Sequence, residues 1–319
     1  MKNHYNFCTL FDHNYLYKGI ALYNSLQTNC PSFLIWILTM SDRAYDVLTK
    51  LNLKNARLIR LEDFEDQELK KVKQSRSQVE YMWTLTPSLP LYVLHKEPSL
   101  NMITYIDADC FFFSNPRPLF KEMGTDSVLI IEHRYASERK DWEKTSGRFN
   151  VEMLIFRRDN IGLKVLRRWR MQCNDWCYYR VEDGKLGDQM YLNTWPDEYE
   201  KIHILQHKGG GLAPWNVKNY KIHTIKNITF VDDDPLIFYH FHALRHYSPS
   251  RANLSEGYDF SANEKRLIYK PYLESLKKSI KMVEKVDSSF NYGFAEKPTI
   301  FHRLLSQGVI LKNRVCKKK

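Results

Sequence analysis

Two aspartates separated by one residue close an apolar run, Ile103-Thr104-Tyr105-Ile106-Asp107-Ala108-Asp109. In extended backbone, residues i and i+2 project to the same side, so Asp107 and Asp109 can address one ion. Hard carboxylate oxygens suit Mg²⁺ or Mn²⁺. Such an ion can bridge a diphosphate and neutralise the charge that develops as a nucleoside diphosphate leaves. Asp-x-Asp alone is a common turn sequence. Its place at the end of an apolar strand, before Cys110-Phe111-Phe112-Phe113, singles it out, because open α/β sheets bind ligands at the carboxyl ends of their strands.

The surrounding elements must build that edge. Tyr5–Leu10 reads as a short strand, and Tyr15–Gln27 carries apolar residues at helical spacing. Ser32–Thr39 is apolar on both faces, as a buried parallel strand is. Asp42–Leu51 reads as a helix capped by Ser41, and Ala56–Leu61 as another strand. The alternation predicts an α/β sheet of Rossmann type. Further on, the pattern predicts helices over Gln67–Tyr81, Thr84–His95 and Ile161–Asn174. It predicts strands over Met102–Ile106, Ser127–Glu132 and Val151–Arg157. Asp188–Asn193 begins another helix, and Ser261–Val286 reads as a long amphipathic helix interrupted near Pro271.

The chain has 319 residues, 43% of them hydrophobic, which suffices for one large domain or a domain with an appendage. A charged fraction of 27% and the lack of an apolar run of roughly 18 residues argue against a spanning helix. Met1-Lys2-Asn3-His4-Tyr5 lacks the apolar core of a signal peptide, so a cytoplasmic protein is expected. Cys8, Cys30, Cys110, Cys173, Cys177 and Cys316 are scattered without a Cys-x-x-Cys pair, which fits a reduced chain without structural zinc. The net charge of +11 favours acidic partners such as nucleotide phosphates or anionic lipid. Nucleic acid is not the expected partner: the cations are not gathered in a recognition helix, and no zinc finger or RNA-recognition motif is present. No Gly-x-Gly-x-x-Gly follows the first strand, which removes a dinucleotide oxidoreductase.

Several stretches in one order give the sequence a family likeness over roughly residues 5–245. They are Asp12-His13-Asn14-Tyr15, the Asp107-x-Asp109 strand end, Phe149-Asn150-Val151-Glu152, Asp188-Gln189-Met190-Tyr191-Leu192-Asn193, His207-Lys208-Gly209-Gly210-Gly211-Leu212-Ala213-Pro214-Trp215, and Phe238-Tyr239-His240-Phe241-His242. Together they resemble GT-A glycosyltransferases, especially family 8 and related bacterial lipopolysaccharide and capsule glycosyltransferases. The resemblance implies a GT-A fold over residues 1–250, with a helical C-terminal extension and basic tail over 251–319. It implies that Asp12, Asn14 and Tyr15 hold the base and ribose of a nucleotide-sugar donor. Asn150, Asp188 and Gln189 would lie beside the transferred sugar, Gly210 and Gly211 would let backbone approach the diphosphate, and Arg245 would pair with phosphate. The metal ligands implied are Asp107, Asp109 and either His207 or His242, with His207 ranked first, while His240 and His242 alternate on one face of a possible strand, from which either could reach the metal or the diphosphate. Two positions depart from the family pattern: Glu152 stands where glycine is usual, and Ala213 where a lysine is usual.

The implied reaction is retaining transfer of a sugar, with UDP the favoured nucleotide, to a hydroxyl of a saccharide, glycolipid or glycoprotein acceptor. A nucleotide-sugar-binding protein without turnover and a metal-dependent phosphohydrolase are the alternatives. The end of the chain, Thr299–Lys319, combines Ile300, Phe301, Leu304, Leu305, Ile310 and Leu311 with basic residues. Such a segment would either lie on the anionic inner face of a membrane or pack on the catalytic domain.

Overall fold

The computed structural model describes residues 4–296. The apolar stretches near the N-terminus form strand β1 (Tyr5–Phe11), helix α1 (Leu16–Asn29), strand β2 (Phe33–Thr39), helix α2 (Asp42–Leu51) and strand β3 (Ala56–Arg60). Ser41 caps α2 as its sequence suggests, its Oγ accepting from the Ala44 N–H at 3.4 Å. β4 (Met102–Ile106) leads into β5 (Cys110–Phe112), and β6 (Val128–Glu132), β7 (Phe149–Arg157) and β8 (Ile202–Ile204) follow. Seven strands make one sheet in the order β3-β2-β1-β4-β7-β6-β8. β1, β2, β3 and β4 run parallel, and β7 runs antiparallel to both β4 and β6. Both faces are covered. One apolar cluster holds Phe7, Ile35 and Ile106, and another holds Leu38, Tyr105 and Trp169. That burial on two sides is why β1 and β2 read as continuous apolar runs.

The expected helix over Gln67–Tyr81 is two helices, Gln67–Lys73 and Gln78–Leu85. Ser77 and Glu80 form a capping box that starts the second one afresh. Within Thr84–His95 the next helix begins at Ser88, its start marked by Pro87. Two smaller assemblies lie beyond the main sheet. β9 (Ile222–Ile225), β10 (Ile228–Val231) and β11 (Asp234–Pro235) form an antiparallel meander. β12 (Phe238–His240) pairs antiparallel with β5, placing His240 opposite Cys110.

The C-terminal segment is helical, as expected. Its helix Lys270–Val286 follows a π-helical turn over Lys265–Tyr269, so the interruption lies just before Pro271. Tyr269, Tyr272, Leu276 and Ile280 bury themselves in one cluster with Tyr17 of α1 and Tyr239 of β12. Among the described residues no helix is long and apolar enough to cross a membrane. The basic amphipathic end expected over Thr299–Lys319 lies outside the described residues.

Candidate active site

β4 delivers Asp107 to the carboxyl edge of the sheet, where its N–H donates to the Glu152 carbonyl on β7 at 2.9 Å. A tight turn follows, with the Cys110 N–H donating to the Asp107 carbonyl at 3.1 Å, and β5 then leaves the sheet. β12 zips onto β5 immediately after Asp109, and the Phe241 N–H donates to the Asp109 carbonyl at 3.0 Å. His240 is thereby carried to the two carboxylates. Its Nε2 lies 3.2 Å from Asp109 Oδ1 and 3.8 Å from Asp107 Oδ2. One ligand atom from each of Asp107, Asp109 and His240 falls within 4.8 Å of the others. The opposite face of the ring is held by Glu152, whose Oε2 lies 2.9 Å from His240 Nδ1.

The charges in this cluster shape one another. Burial, then the neighbouring Asp109 charge against a partial offset from His240, raises Asp107 to about 6. Burial works against ionised Asp109, but the charge and hydrogen bond of His240 and the charge of Lys18 hold it well below the usual carboxylate range. Burial likewise opposes the His240 imidazolium, yet Asp109 and Glu152 raise it well above an ordinary histidine. Tyr105 donates its hydroxyl proton to Asp107 Oδ1 at 2.9 Å. The donor set is two hard carboxylates and an oriented imidazole, and Glu152 Oε1 remains buried without a partner beside it. That set fits a divalent cation.

The other expected site residues divide. Asp188 is buried, and burial together with the Asp107 charge raises it to about 7. Its carbonyl accepts from Trp169 Nε1 at 2.8 Å, which ties it to the core. Gln189 donates to the Ser146 carbonyl. The Asn150 amide is engaged on both ends, with Oδ1 accepting from the Glu152 N–H at 2.5 Å and Nδ2 lying 3.1 Å from His133 Nε2. Tyr15 is 38% accessible as a residue, with Lys18 Nζ lying 3.9 Å over one face of its ring. Asp12 does not present a free carboxylate, because its oxygens accept from the Asn14 and Tyr15 N–H groups and from the Asn14 and Gln78 amides.

Gly211 sits at φ +75, and a Cβ there would strike Ile131 Cγ2 at 2.4 Å, so a side chain is excluded beside Glu152. The Leu212 carbonyl that follows accepts the His240 N–H at 2.8 Å, tying the glycine run to β12. Trp215 packs its ring against both His240 and His242, at 5.4 Å between centroids in each case.

Two of the expected residues stand apart from the cluster. His207 is not in the ligand cluster. Its N–H donates to Glu122 at 3.0 Å and its Nδ1 accepts from the Gly209 N–H at 3.1 Å, so it closes a turn. His240 takes that place because β12 pairs with β5, a long-range ladder that local motif reading does not reveal. His242 stands one ring away, 5.7 Å from His240, and burial followed by the His240 charge lowers it to about 4. Arg245 is the second: it is exposed and pairs with Glu256 at 3.2 Å. Glu152 and Lys18 were not foreseen. The sequence signal for Glu152 was its standing in a strand position where glycine is usual.

The strand order, the single reversed strand β7 and the carboxylate pair at the β4 edge define the GT-A glycosyltransferase fold. Solved structures with this fold include the glycosyltransferase GlyE of Streptococcus pneumoniae TIGR4, 14% identical with a TM-score of 0.51 over 89% of this chain. The chain spans 63% of GlyE's length. The galactosyltransferase LgtC, solved with donor and acceptor sugar analogs, is 14% identical with a TM-score of 0.52, covering 86% of this chain and 95% of LgtC. No family model matches the sequence. Among curated proteins, the chain belongs to the family of the uncharacterized protein YfnF of Bacillus subtilis (strain 168). It is 31% identical to YfnF over 301 residues, 91% of this chain and 97% of that protein. The uncharacterized protein YfnD of the same organism is 28% identical over 299 residues, 93% of this chain and 96% of YfnD.

Proposed function

We propose that the chain is a metal-dependent glycosyltransferase that moves a sugar from a UDP-sugar to a hydroxyl of a saccharide or glycoconjugate, with retention of anomeric configuration. The observation that carries this reading is the Asp107, Asp109 and His240 cluster at the carboxyl edge of β4 in a GT-A fold. Those three residues would hold Mn²⁺ or Mg²⁺. Bound there, the ion would offset the negative charge that grows on the departing nucleoside diphosphate.

The chain's own residues supply the rest of the reading. Glu152 accepts the Nδ1 proton of His240 and leaves Nε2 facing the carboxylates. Tyr15 offers a ring on which a base can stack. Asp188, raised to about 7, keeps its proton in weakly acidic solution and can donate to a sugar hydroxyl there. Retention and the choice of UDP rest on the sequence resemblance to family 8.

The test is nucleoside diphosphate release from a panel of nucleotide sugars with Mn²⁺, with and without a saccharide acceptor. Release diverted into a glycosylated product, and abolished in Asp109→Ala, is expected. Release that no acceptor diverts would make the protein a hydrolase. Donor binding without turnover would make it a binding protein.

A further inference from the structure

Lys18, in the first turn of α1, is an ammonium buried without a counter-ion. It is 5% exposed. Its Nζ reaches the Leu244 carbonyl at a long 3.4 Å and lies 3.9 Å over the centroid of the Tyr15 ring. It makes no ion pair with any of the described residues. An ammonium has three donors, and one long bond to a carbonyl leaves the group far from satisfied. Such burial is costly when nothing compensates for it. Burial pushes Lys18 below an ordinary lysine, and the Asp109 charge offsets part of that. Other cations named near the site are committed elsewhere. Lys208 pairs with Asp232 at 2.9 Å, Lys218 with Glu138 at 3.5 Å and Arg245 with Glu256 at 3.2 Å, while Arg134 donates to the Gly210 carbonyl.

We propose that Lys18 is an anion-binding residue of the cleft, whose ammonium takes an oxygen of a diphosphate held beside Asp109. The geometry assigns it this role because its ammonium lies over the Tyr15 ring and near enough to Asp109 for each charge to act on the other, with donors to spare and no ion pair among the described residues. That the diphosphate belongs to a nucleotide sugar rests on the reading above; the anion site itself does not.

The test uses the full chain and three titrations: Mn²⁺ alone, inorganic pyrophosphate with Mn²⁺, and UDP with Mn²⁺. Lys18→Met keeps the aliphatic stem and removes the charge. Affinity for pyrophosphate and for UDP in the presence of Mn²⁺ should fall about 10- to 100-fold, the size of one lost charge-assisted hydrogen bond. Affinity for Mn²⁺ alone should hold or rise, because a cation near Asp109 has been removed. Melting of the unliganded variant should move upward or not at all. A lysine that merely packs the core would not give these opposite signs. Lys18→Arg should recover part of the pyrophosphate affinity, and Lys18→Gln repeats the test if the methionine variant does not fold. Unchanged pyrophosphate affinity in the variant, or no pyrophosphate binding by the wild type, overturns the proposal. If pyrophosphate binds and depends on Lys18 but no nucleotide sugar is bound or turned over, the anion site stands and the donor reading fails.

Discussion

His240 is gripped from both sides: Glu152 Oε2 lies 2.9 Å from Nδ1, and Asp109 Oδ1 lies 3.2 Å from Nε2. The first contact fixes which nitrogen carries the proton once the second is given to an ion. Loss of such an outer partner typically costs 10- to 100-fold in metal affinity. Glu152→Ala should therefore weaken Mn²⁺ binding by about that factor, and Glu152→Gln, which still offers an oxygen, by less. Calorimetric titration of Mn²⁺ into each variant checks this, with melting curves to verify folding. Equal affinity in Glu152→Ala and wild type would remove the orienting role.

The histidines should rank by distance to the carboxylates. His240→Ala should lose most of the Mn²⁺ affinity, His242→Ala less, and His207→Ala none, since His207 lies outside the Asp107, Asp109 and His240 cluster. A larger loss at His207 than at His240 would restore the motif-based assignment and contradict the β5–β12 pairing as the source of the ligand.

Asp188 gives a pH signature in stability. Its folded-state value of about 7 lies above its ordinary 3.8. Between those values the folded chain holds a proton that the unfolded chain has released, so this residue's contribution falls as pH rises and is constant above about 7. The slope is at most about 1.4 kcal/mol per pH unit. Buried His133 and His242, lowered to about 3 and about 4, act in the opposite sense over part of that window. The test is therefore the difference between Asp188→Asn and wild type. Denaturant unfolding should show the variant gaining on the wild type from pH 4.5 to pH 7.5. A difference that does not change with pH would mean that Asp188 is ionised throughout.

Tyr15 is the expected base platform. Stacking of a base on an aromatic ring is worth about 1–3 kcal/mol. Tyr15→Ala should raise the donor KM by about 10-fold or more and leave kcat nearly unchanged, because base binding is equal in ground and transition states. Steady-state kinetics over a donor series measures the split. An unchanged KM would place the base elsewhere.

The sheet and the carboxylate pair were legible because both are local. β1, β2 and β4 announce themselves as apolar runs, α2 by its Ser41 cap, and Asp107 and Asp109 by following β4. The break between the helices ending at Lys73 and starting at Gln78 was also written locally, in Ser77 and Glu80, but helical periodicity across the gap masked it. His240 was another matter. Its place depends on a three-residue ladder between strands far apart in the chain, and His207 had the more suggestive neighbours. Glu152 stood out only as a departure from a family glycine, and Lys18 looks like an ordinary surface charge until α1 buries it. Asp12 matched a motif, yet the turn it starts consumes its oxygens.

The β5–β12 ladder has a consequence for how the protein would respond to the supply of a metal ion. Asp109 and His240 are joined only when the middle of the chain and its C-terminal third have both reached their native places. An unfolded or half-folded polypeptide has no such ligand set, so an ion that binds it weighs on the native side alone and raises stability with its free concentration. Metal binding at this cluster would thereby report on completed folding. A chain starved of the ion would have a lower melting point, and a chain cut before Phe238 would lose that protection along with its histidine.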